Sequence, residues 1–334
     1  MIVGAGAAGL SAAWHARRLG LSPLVLERAE TVGGAWRLMP QGLRCLSPRQ
    51  HDVMPDGDFP DAPEERAHRS AVVALLERFQ RRHKFRVQPS VSATSLRTRG
   101  DALVLETSRG PITTRSLVVA TGEFGRPYTP TLTGVFGGTS VHYRDFRAAE
   151  LRPGERVLIV GAGNSGAEAA VAALQAGAEV SVATPDPLTR PNPAPPWARE
   201  ALYRLSAVPL RWVPGDGGCS ERTPVVDPEL FDAVTAGRVT QVSRLVSLEP
   251  AGAVDATGRR VAADRIVWCT GFRREVDFTA PLLGAPRHRG GLSLGHRGVG
   301  YLGLPCQRTR RSGFLRGFAE DAGAVVRGLA GRVT

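Results

Sequence analysis

The sequence predicts an α/β fold built from two similar domains, because one glycine-rich pattern occurs in it twice. Each copy has the form G-x-G-x-x-G, at residues 4–9 and 161–166, and each stands between an apolar strand and an alanine-rich helix. Glycines at this spacing permit a tight turn, let the backbone approach a pyrophosphate, and let the helix pack on the strand. Unpaired N–H groups at the start of that helix then face the phosphates. The two copies therefore predict two Rossmann-like dinucleotide-binding domains.

The first copy is followed by a carboxylate at the position typical of ribose binding. The strand "PLVLE" ends at Glu27, which can accept hydrogen bonds from both ribose hydroxyls of an adenosine. Strand, helix and carboxylate together disfavour a purely structural turn. Only three residues precede Gly4, so either the first strand is very short or the natural start lies upstream. The residues predicted to bind this first dinucleotide are Gly4, Gly6, Ala7, Ala8, Gly9, Glu27 and Arg28.

The second copy lacks such a carboxylate. Its second strand, "AEVSVA", is followed by Thr184, and the nearest cation is Arg190. An acidic side chain there would repel a ribose 2′-phosphate, so its absence favours NADPH over NADH. The residues predicted to bind this second dinucleotide are Gly161, Gly163, Asn164, Ser165, Gly166 and Arg190. We therefore expect FAD on the first copy and NADPH on the second, the alternative being one working site and one structural relic.

The composition is that of a two-domain globular protein. With 334 residues and 42% hydrophobic content the chain can bury a core. The sequence contains no run of 18 apolar residues, so we predict no membrane span. The N-terminus does not resemble a signal peptide. The four cysteines are scattered without a C-x-x-C pair, which argues against a metal site, a dithiol redox centre and a disulfide framework. We therefore expect a cytoplasmic protein without a metal.

The net charge is +12, and nearly all of it comes from arginine, because Lys84 is the only lysine. A basic balance can indicate nucleic acid or membrane headgroups as partners. Here the arginines are spread along the chain, and no nucleic-acid-binding module accompanies them. The charge therefore indicates a solvated surface, and we predict no nucleic-acid partner.

Further stretches carry motifs beyond the glycine-rich pattern. "VFGGTSVHYRDFR" (135–147) fits F-x-G-x-x-x-H-x-x-x-[FY]-[KR], with His142 at the histidine position. "SLVVATGEFGRP" (116–127) and "DRIVWCTGF" (264–272) contain [AC]-T-G at a strand end, and "VGGAW" (32–36) follows Glu27. Together these stretches resemble the class B flavin-dependent monooxygenases, whose chain passes between its two domains at two such strand ends. The pattern is most similar to small flavin-containing monooxygenases, the YUCCA-like branch and its compact bacterial relatives.

The resemblance implies an FAD-binding domain in two parts, residues 1–149 and 270–334, with an NADPH-binding domain of residues 150–269 inserted between them. It implies His142 as the catalytic residue, hydrogen-bonded to the nicotinamide half of NADPH, the alternative being a packing histidine in an interdomain linker. The other cofactor-contacting residues that it implies are Gly34, Trp36, Arg37, Thr121, Gly122, Thr270, Gly271, Phe314 and Leu315.

Alternatives stay open for several of these residues. Trp36 fits an ordinary core position, and Arg28 fits a solvated one. Phe314 and Leu315 begin a C-terminal helix that could instead be a surface helix. The proline-dense residues 185–218 predict a lid over substrate and nicotinamide, although part of that segment could lie on a membrane surface.

By resemblance, NADPH reduces FAD, O₂ adds at the flavin C4a, and the hydroperoxide delivers one oxygen atom to a small organic substrate. The motif ends in Phe146 and Arg147, which favours heteroatom (N or S) or YUCCA-like oxygenation over Baeyer–Villiger chemistry. Residues 43–60 contain no asparagine, which animal-type members place near the flavin. A Baeyer–Villiger enzyme, an FAD-dependent NAD(P)H reductase serving a protein acceptor, and a non-catalytic nucleotide-binding module are the alternatives. The sequence leaves the substrate and the oligomeric state open.

Overall fold

Helices and strands alternate along the computed structural model, which describes residues 1–61, 65–190, 195–210, 225 and 228–333. The described helices are α1 (Ala7–Arg18), α2 (Arg69–His83), α3 (Asn164–Gln175), α4 (Pro196–Leu205), α5 (Glu229–Thr235), α6 (Ala280–Leu283) and α7 (Leu315–Val333). The described strands are β1 (Ile2–Val3), β2 (Leu24–Leu26), β3 (Arg86–Gln88), β4 (Ala93–Arg99), β5 (Ala102–Thr107), β6 (Ile112–Thr114), β7 (Leu117–Val119), β8 (Arg126–Pro127), β9 (Thr139–His142), β10 (Arg156–Val160), β11 (Glu179–Ala183), β12 (Val239–Val242), β13 (Leu245–Glu249), β14 (Gly252–Asp255), β15 (Arg260–Ala262), β16 (Arg265–Trp268), β17 (Phe272–Arg273), β18 (His288–Arg289), β19 (Leu292–Ser293) and β20 (Val299–Tyr301).

The first glycine-rich segment follows β1, near the middle of a seven-stranded sheet of order β18-β19-β20-β7-β1-β2-β3. Strands β20, β7, β1, β2 and β3 are parallel, so their carboxyl ends meet at one edge. Helices α1, α2 and α7 cover one face and bury Leu10, Phe79 and Val325 in one cluster. The antiparallel sheet β4-β5-β6 covers the other face, where Leu105 packs with Leu26. The chain thus buries both faces of this sheet.

The second glycine-rich segment follows β10, in a five-stranded parallel sheet of order β12-β11-β10-β16-β9. Helices α3 and α5 cover one face, with Ala170 and Leu230 in a common cluster. The antiparallel sheet β13-β14-β15 covers the other, where Val261 packs with Trp268. Two layered units of the same kind confirm the predicted α/β fold with two Rossmann-like domains. Strand β9 belongs to this second sheet although it precedes residue 150, where the inserted domain was predicted to begin.

Two stretches of the sequence predict elements that differ in extent from the observed ones. The amphipathic pattern of residues 64–83 predicts one helix, whereas α2 begins at Arg69, because the side chain of His68 caps it. The run 112–120 predicts one strand, whereas the structure has two, because the chain turns between β6 and β7 and the two join different sheets. The predicted lid falls partly outside the described residues, and α4 is its described helix. None of the described helices is long and apolar enough to cross a membrane.

Candidate functional site

One cleft of about 1240 Å³ is lined by residues from both glycine-rich segments and from the start of α7. The predicted site residues that line it are Gly4, Gly6, Ala7, Ala8, Glu27, Arg28, Gly34, Trp36, Arg37, Thr121, Gly122, Gly163, Asn164, Ser165, Gly271, Phe314 and Leu315. The predicted site residues outside its lining are Gly9, His142, Gly161, Gly166, Arg190 and Thr270. The structure thus brings most of the predicted cofactor contacts into one space.

The three glycines of the first segment have different surroundings. Gly4 has φ +106°, and a Cβ there would lie 2.9 Å from the carbonyl carbon of Ala120. A Cβ on Gly9 would overlap the carbonyl oxygen of Gly4, so Gly9 lets α1 pack against the turn. A Cβ on Gly6 would meet only Gly34, at 3.8 Å. Gly4 and Gly9 are therefore required by packing, whereas Gly6 leaves open the space that a pyrophosphate would need at the start of α1.

The carboxylate of Glu27 is buried beside that space. Its Oε2 accepts a hydrogen bond from Ala5 N at 2.7 Å, and its Oε1 accepts one from Ala29 N at 2.9 Å. Backbone groups thus fix the direction of the carboxylate at the end of β2. The neighbouring Arg28 forms an ion pair with Glu275, so it connects two segments that are distant in sequence.

Further predicted residues line the same cleft. Thr121 follows β7, and its buried hydroxyl has no hydrogen-bond partner within the described residues, so it fits a contact with a bound cofactor. Trp36 is partly buried against the core cluster below α1. Arg37 donates to the carbonyl oxygen of Val32 and pairs with Glu77 on α2. Arg37 therefore supports the turn at the cleft wall.

The second glycine-rich segment repeats the geometry of the first. Gly161 has φ +103°, and a Cβ there would lie 2.5 Å from the carbonyl oxygen of Cys269. A Cβ on Gly166 would lie 2.8 Å from the carbonyl carbon of Gly161. A Cβ on Gly163 would meet none of the described residues within 4 Å. The middle glycine is again the one that borders open space, at the start of α3, so the second segment also fits a dinucleotide.

The cation predicted for a ribose 2′-phosphate already has a protein partner. Arg190 Nε lies 3.2 Å from Asp232 Oδ1 on α5, and both side chains are about half exposed. Thr184, directly after β11, is buried. An approaching 2′-phosphate would have to compete with Asp232 for the guanidinium of Arg190.

His142 ends β9 and is buried, with 7% of its surface exposed. Its Nε2 lies 2.9 Å from the carbonyl oxygen of Gly271, and its Nδ1 accepts a hydrogen bond from Arg144 N at 3.2 Å. The ring of Phe272 stands edge-on to the imidazole, at 4.8 Å between centroids. Burial lowers the pKa of His142, and the hydrogen bond to Gly271 opposes this. Both ring nitrogens therefore hold backbone at the junction between the two sheets. The neighbouring junction residue Thr270 donates its hydroxyl to the carbonyl oxygen of Tyr128.

Sequence reasoning missed a pair beside the second segment. The phenol of Tyr143 donates a hydrogen bond to Glu168 on α3, and both residues line the cleft. Burial and the adjacent carboxylate raise the pKa of Tyr143. Tyr143 follows His142 directly in the motif at 135–147, and this neighbouring position is the sequence signal that could have identified Tyr143 as a site residue.

Sequence reasoning also missed a polar cluster that lines the cleft. Cys45, Ser47 and Asp52 all line the cleft and are all buried. They lie in the stretch 43–60, in which the resemblance called attention only to a missing asparagine. No local pattern predicts that an aspartate of an irregular segment will be buried.

The structure adds one detail on the cysteines. Cys306 is disulfide-bonded, whereas Cys45 and Cys269 are free. The sequence argued against a disulfide framework and did not single out Cys306. Scattered spacing could not predict it, because disulfides join residues that are close in space rather than in sequence.

Comparison with known proteins gives matches along most of the chain. The family model described as "Pyridine nucleotide-disulphide oxidoreductase" matches residues 1–207. Indole-3-pyruvate monooxygenase YUCCA1 of Oryza sativa is 27% identical over 320 residues, 83% of this chain and 77% of that protein. The uncharacterized oxidoreductase CzcO of Bacillus subtilis is 23% identical over 343 residues, 99% of each. A solved flavin-containing monooxygenase from Stenotrophomonas maltophilia has a TM-score of 0.81 and 26% identity, covering 99% of this chain and 97% of that one.

These matches confirm the predicted resemblance to class B flavin monooxygenases and the prediction of an oxidoreductase enzyme. They also confirm, at the level of the family, the predicted cofactor pair of FAD and NADPH. The shared cleft, the two glycine-rich segments and the relatives all indicate an enzyme that binds two dinucleotides. The chain therefore belongs to the pyridine nucleotide-disulphide oxidoreductase family, and its relatives are flavin-dependent monooxygenases and oxidoreductases.

Proposed function

We propose that this chain is an NADPH- and O₂-dependent monooxygenase that inserts one oxygen atom into a small organic substrate. The single observation that carries the proposal is the continuous cleft, which both glycine-rich segments reach. Its volume of about 1240 Å³ exceeds the range of about 300–1,000 Å³ typical of one drug-sized ligand. A flavin held by one segment and a nicotinamide held by the other would meet in this space, with room for a small substrate.

We assign the two cofactors to the two segments by the open space beside their middle glycines. Gly6 would admit the FAD pyrophosphate, and Glu27 would accept hydrogen bonds from its ribose. Gly163 would admit the NADPH pyrophosphate. Residues 1–149 and 270–334 would form the FAD-binding domain, and residues 150–269 the inserted one. When bound, FAD takes two electrons from NADPH and makes O₂ reactive.

The chain's own groups would orient the cofactors and limit the access of water. Phe124 and Phe272 pack edge-on at 5.3 Å between ring centroids and line the cleft. Arg311, before α7, donates to the carbonyl oxygen of Tyr203 on α4 at 2.6 Å. We propose that α4 acts as a lid held to the start of α7 by this contact. An apolar wall and a closed lid favour oxygen transfer over loss of reduced oxygen to water.

For the substrate, we propose a soft nitrogen or sulfur centre or a YUCCA-like carbon substrate. The end of the motif at Phe146 and Arg147 supports this over a Baeyer–Villiger ketone. The test is to supply purified protein with FAD, NADPH, ¹⁸O₂ and methyl phenyl sulfide or a ketone, and to weigh the product. One ¹⁸O atom in the sulfoxide supports the proposal, and an ester labelled from the ketone supports the Baeyer–Villiger alternative.

A reductase that serves a protein acceptor is the second candidate, because the matching family model is named for disulphide oxidoreductases. It would oxidise NADPH with a protein or dye acceptor under nitrogen and give no labelled product in air. Rapid acceptor-dependent NADPH oxidation without ¹⁸O incorporation into any screened substrate would replace the monooxygenase proposal with this one.

A further inference from the structure

Asp52 is a buried carboxyl group on the wall of the main cleft. Only 1% of its surface is exposed. Its Oδ1 accepts a hydrogen bond from the hydroxyl of Ser47 at 2.6 Å. Its Oδ2 is also buried and has no hydrogen-bond partner among the described residues. A buried polar atom of this kind is rare in native proteins and calls for a ligand, a water or a proton.

Asp52 differs in this respect from the other acidic groups of the cleft. Within the described residues, the carboxyl-bearing residues that line it are Glu27, Asp52, Glu123, Glu168, Glu275 and Asp277. Glu27 is held by backbone N–H groups, and Glu168 by Tyr143. The remaining three pair with arginines. Each of these contacts stabilises an anion, so Asp52 is the carboxyl group of this set that is best suited to hold a proton.

The groups that face Asp52 leave its charged form only weakly stabilised. Burial raises the pKa of Asp52 to about 6, and hydrogen bonds from Ser47 and Cys45 and the charge of Arg316 oppose this rise. Arg316, on α7, stacks over Phe314 at 4.4 Å, and its Nε has no hydrogen-bond partner in the part of the chain that the structure describes. The thiol of Cys45 is neutral, because burial and Asp52 raise its pKa, although Arg66 opposes this. Asp52 can therefore both hold and release a proton close to neutral pH.

The proposed reaction consumes one proton in each turnover. NADPH, H⁺, O₂ and substrate become NADP⁺, water and the oxygenated substrate: NADPH supplies two electrons as hydride, and one atom of O₂ leaves as water. A cleft that excludes water must supply this proton from one of its own groups.

We propose that Asp52 donates this proton, with Ser47 and Cys45 as its positioning residues. The O–H bond of the neutral carboxyl breaks, its electron pair stays on Asp52, and the proton goes to the oxygen atom that leaves as water. Between turnovers, when the cleft opens to release product, solvent reprotonates the carboxylate. This inference rests on the proposed monooxygenase function, and it adds to it a group that local sequence patterns did not predict.

The first test measures the proton on Asp52 directly, without turnover. The FAD-bound protein is labelled with ¹³C at aspartate carboxyls and titrated by NMR, in the wild type and in the variants Asp52→Asn and Asp321→Asn. Asp321 is the matched control, because it is buried with a raised pKa but does not line the cleft. We expect a resonance that titrates near pH 6 and disappears only in Asp52→Asn. A resonance of Asp52 that titrates near pH 4 would overturn the proposal.

The second test measures coupling with methyl phenyl sulfide in the same three proteins. In Asp52→Asn the sulfoxide formed per NADPH should fall by about tenfold or more, as expected on loss of a general acid, with hydrogen peroxide formed instead. Asp321→Asn should match the wild type. In the wild type, coupling should decline as pH rises through the pKa of Asp52. Wild-type coupling in Asp52→Asn would overturn the proposal while leaving the monooxygenase function intact.

The variant Ser47→Ala provides an independent outcome, should Asp52→Asn fail to fold. The hydrogen bond from Ser47 lowers the pKa of Asp52, so its removal should move both the NMR titration and the decline of coupling to higher pH. A merely structural Ser47 would lower stability without moving either curve. An absence of ¹⁸O incorporation in the wild type, by contrast, would defeat the proposed function itself.

Discussion

The substitution Gly6→Ala tests whether the first glycine-rich segment binds FAD. Gly6 has φ −79° and ψ −175°, an extended conformation that alanine adopts without strain. The new Cβ would lie 3.8 Å from the Cα of Gly34, an ordinary van der Waals contact. The folded protein should therefore accept the methyl group, which would stand in the path of the pyrophosphate.

The expected magnitudes separate binding from folding. Alanine is a poorer N-cap than glycine, which costs stability by about 1 kcal/mol or less. Loss of one hydrogen bond to a charged phosphate costs about 1.5–3 kcal/mol. At about 1.4 kcal/mol per factor of ten, the dissociation constant of FAD should rise by roughly ten- to a hundred-fold. A bulkier residue, as in Gly6→Val, should abolish flavin binding.

Gly9→Ala is the matched control in the same segment. Its Cβ would lie 3.0 Å from the carbonyl carbon of Gly4 and overlap the oxygen, so α1 must move away from the turn. Such overpacking costs about 1–3 kcal/mol or more, and alanine's better helix propensity returns only about 1 kcal/mol. Melting temperatures of the apoproteins and fluorescence titrations with FAD measure the two effects. Wild-type FAD affinity in a folded Gly6→Ala protein would refute the assignment of FAD to the first glycine-rich segment.

Three further predictions concern the second segment and the junction. Gly163→Ala should still bind FAD, but NADPH should no longer reduce the flavin in stopped-flow absorbance measurements. Gly166→Ala should instead lower the melting temperature. Rapid reduction of the flavin in Gly163→Ala would contradict the assignment of NADPH to the second glycine-rich segment. His142→Ala should lower the free energy of unfolding by about 2–3 kcal/mol, because it removes two hydrogen bonds and leaves a cavity. The coupling of NADPH oxidation to product formation should stay intact. Increased hydrogen peroxide would instead indicate that His142 contacts the nicotinamide. Arg190→Ala should raise the KM for NADPH but not for NADH, and Asp232→Ala should lower the KM for NADPH. If the wild type uses both cofactors with equal catalytic efficiency and Arg190→Ala does not change this, Arg190 does not bind the 2′-phosphate.

The glycine-rich segments could be predicted from sequence because their geometry is local. Gly4 and Gly9 stand five positions apart, and the clash that requires the second glycine is with the first. The same local rule fixed Gly161 and Gly166. A carboxylate at the end of the following strand, Glu27, also has a fixed relation to the turn, since β1 and β2 are parallel neighbours. Strand, turn and helix therefore carried enough information without tertiary contacts.

The pairing of charged groups could not be predicted in this way. Arg28 and Glu275 are far apart in sequence, and their contact depends on how the segments that carry them pack in the folded chain. Arg190 was selected as the nearest cation after β11, but the position of α5 gives it Asp232 as a partner. Likewise, the motif identified His142 without showing that both of its ring nitrogens would hold backbone. Each outcome depends on packing between elements.

Asp52 is the clearest case of a residue whose importance appears only in the folded protein, and its energetics bear on its role. Burial moves its pKa from 3.8 to about 6, which at about 1.4 kcal/mol per unit corresponds to roughly 3 kcal/mol. Because the folded-state pKa of Asp52 is the higher one, the contribution of Asp52 to stability is greatest at low pH and is lost as pH rises from 3.8 through about 6. An asparagine could still accept the hydrogen bond from Ser47 without this penalty. A buried acid that weakens the fold at neutral pH, on the wall of the reaction cleft, is therefore better explained by proton transfer than by packing.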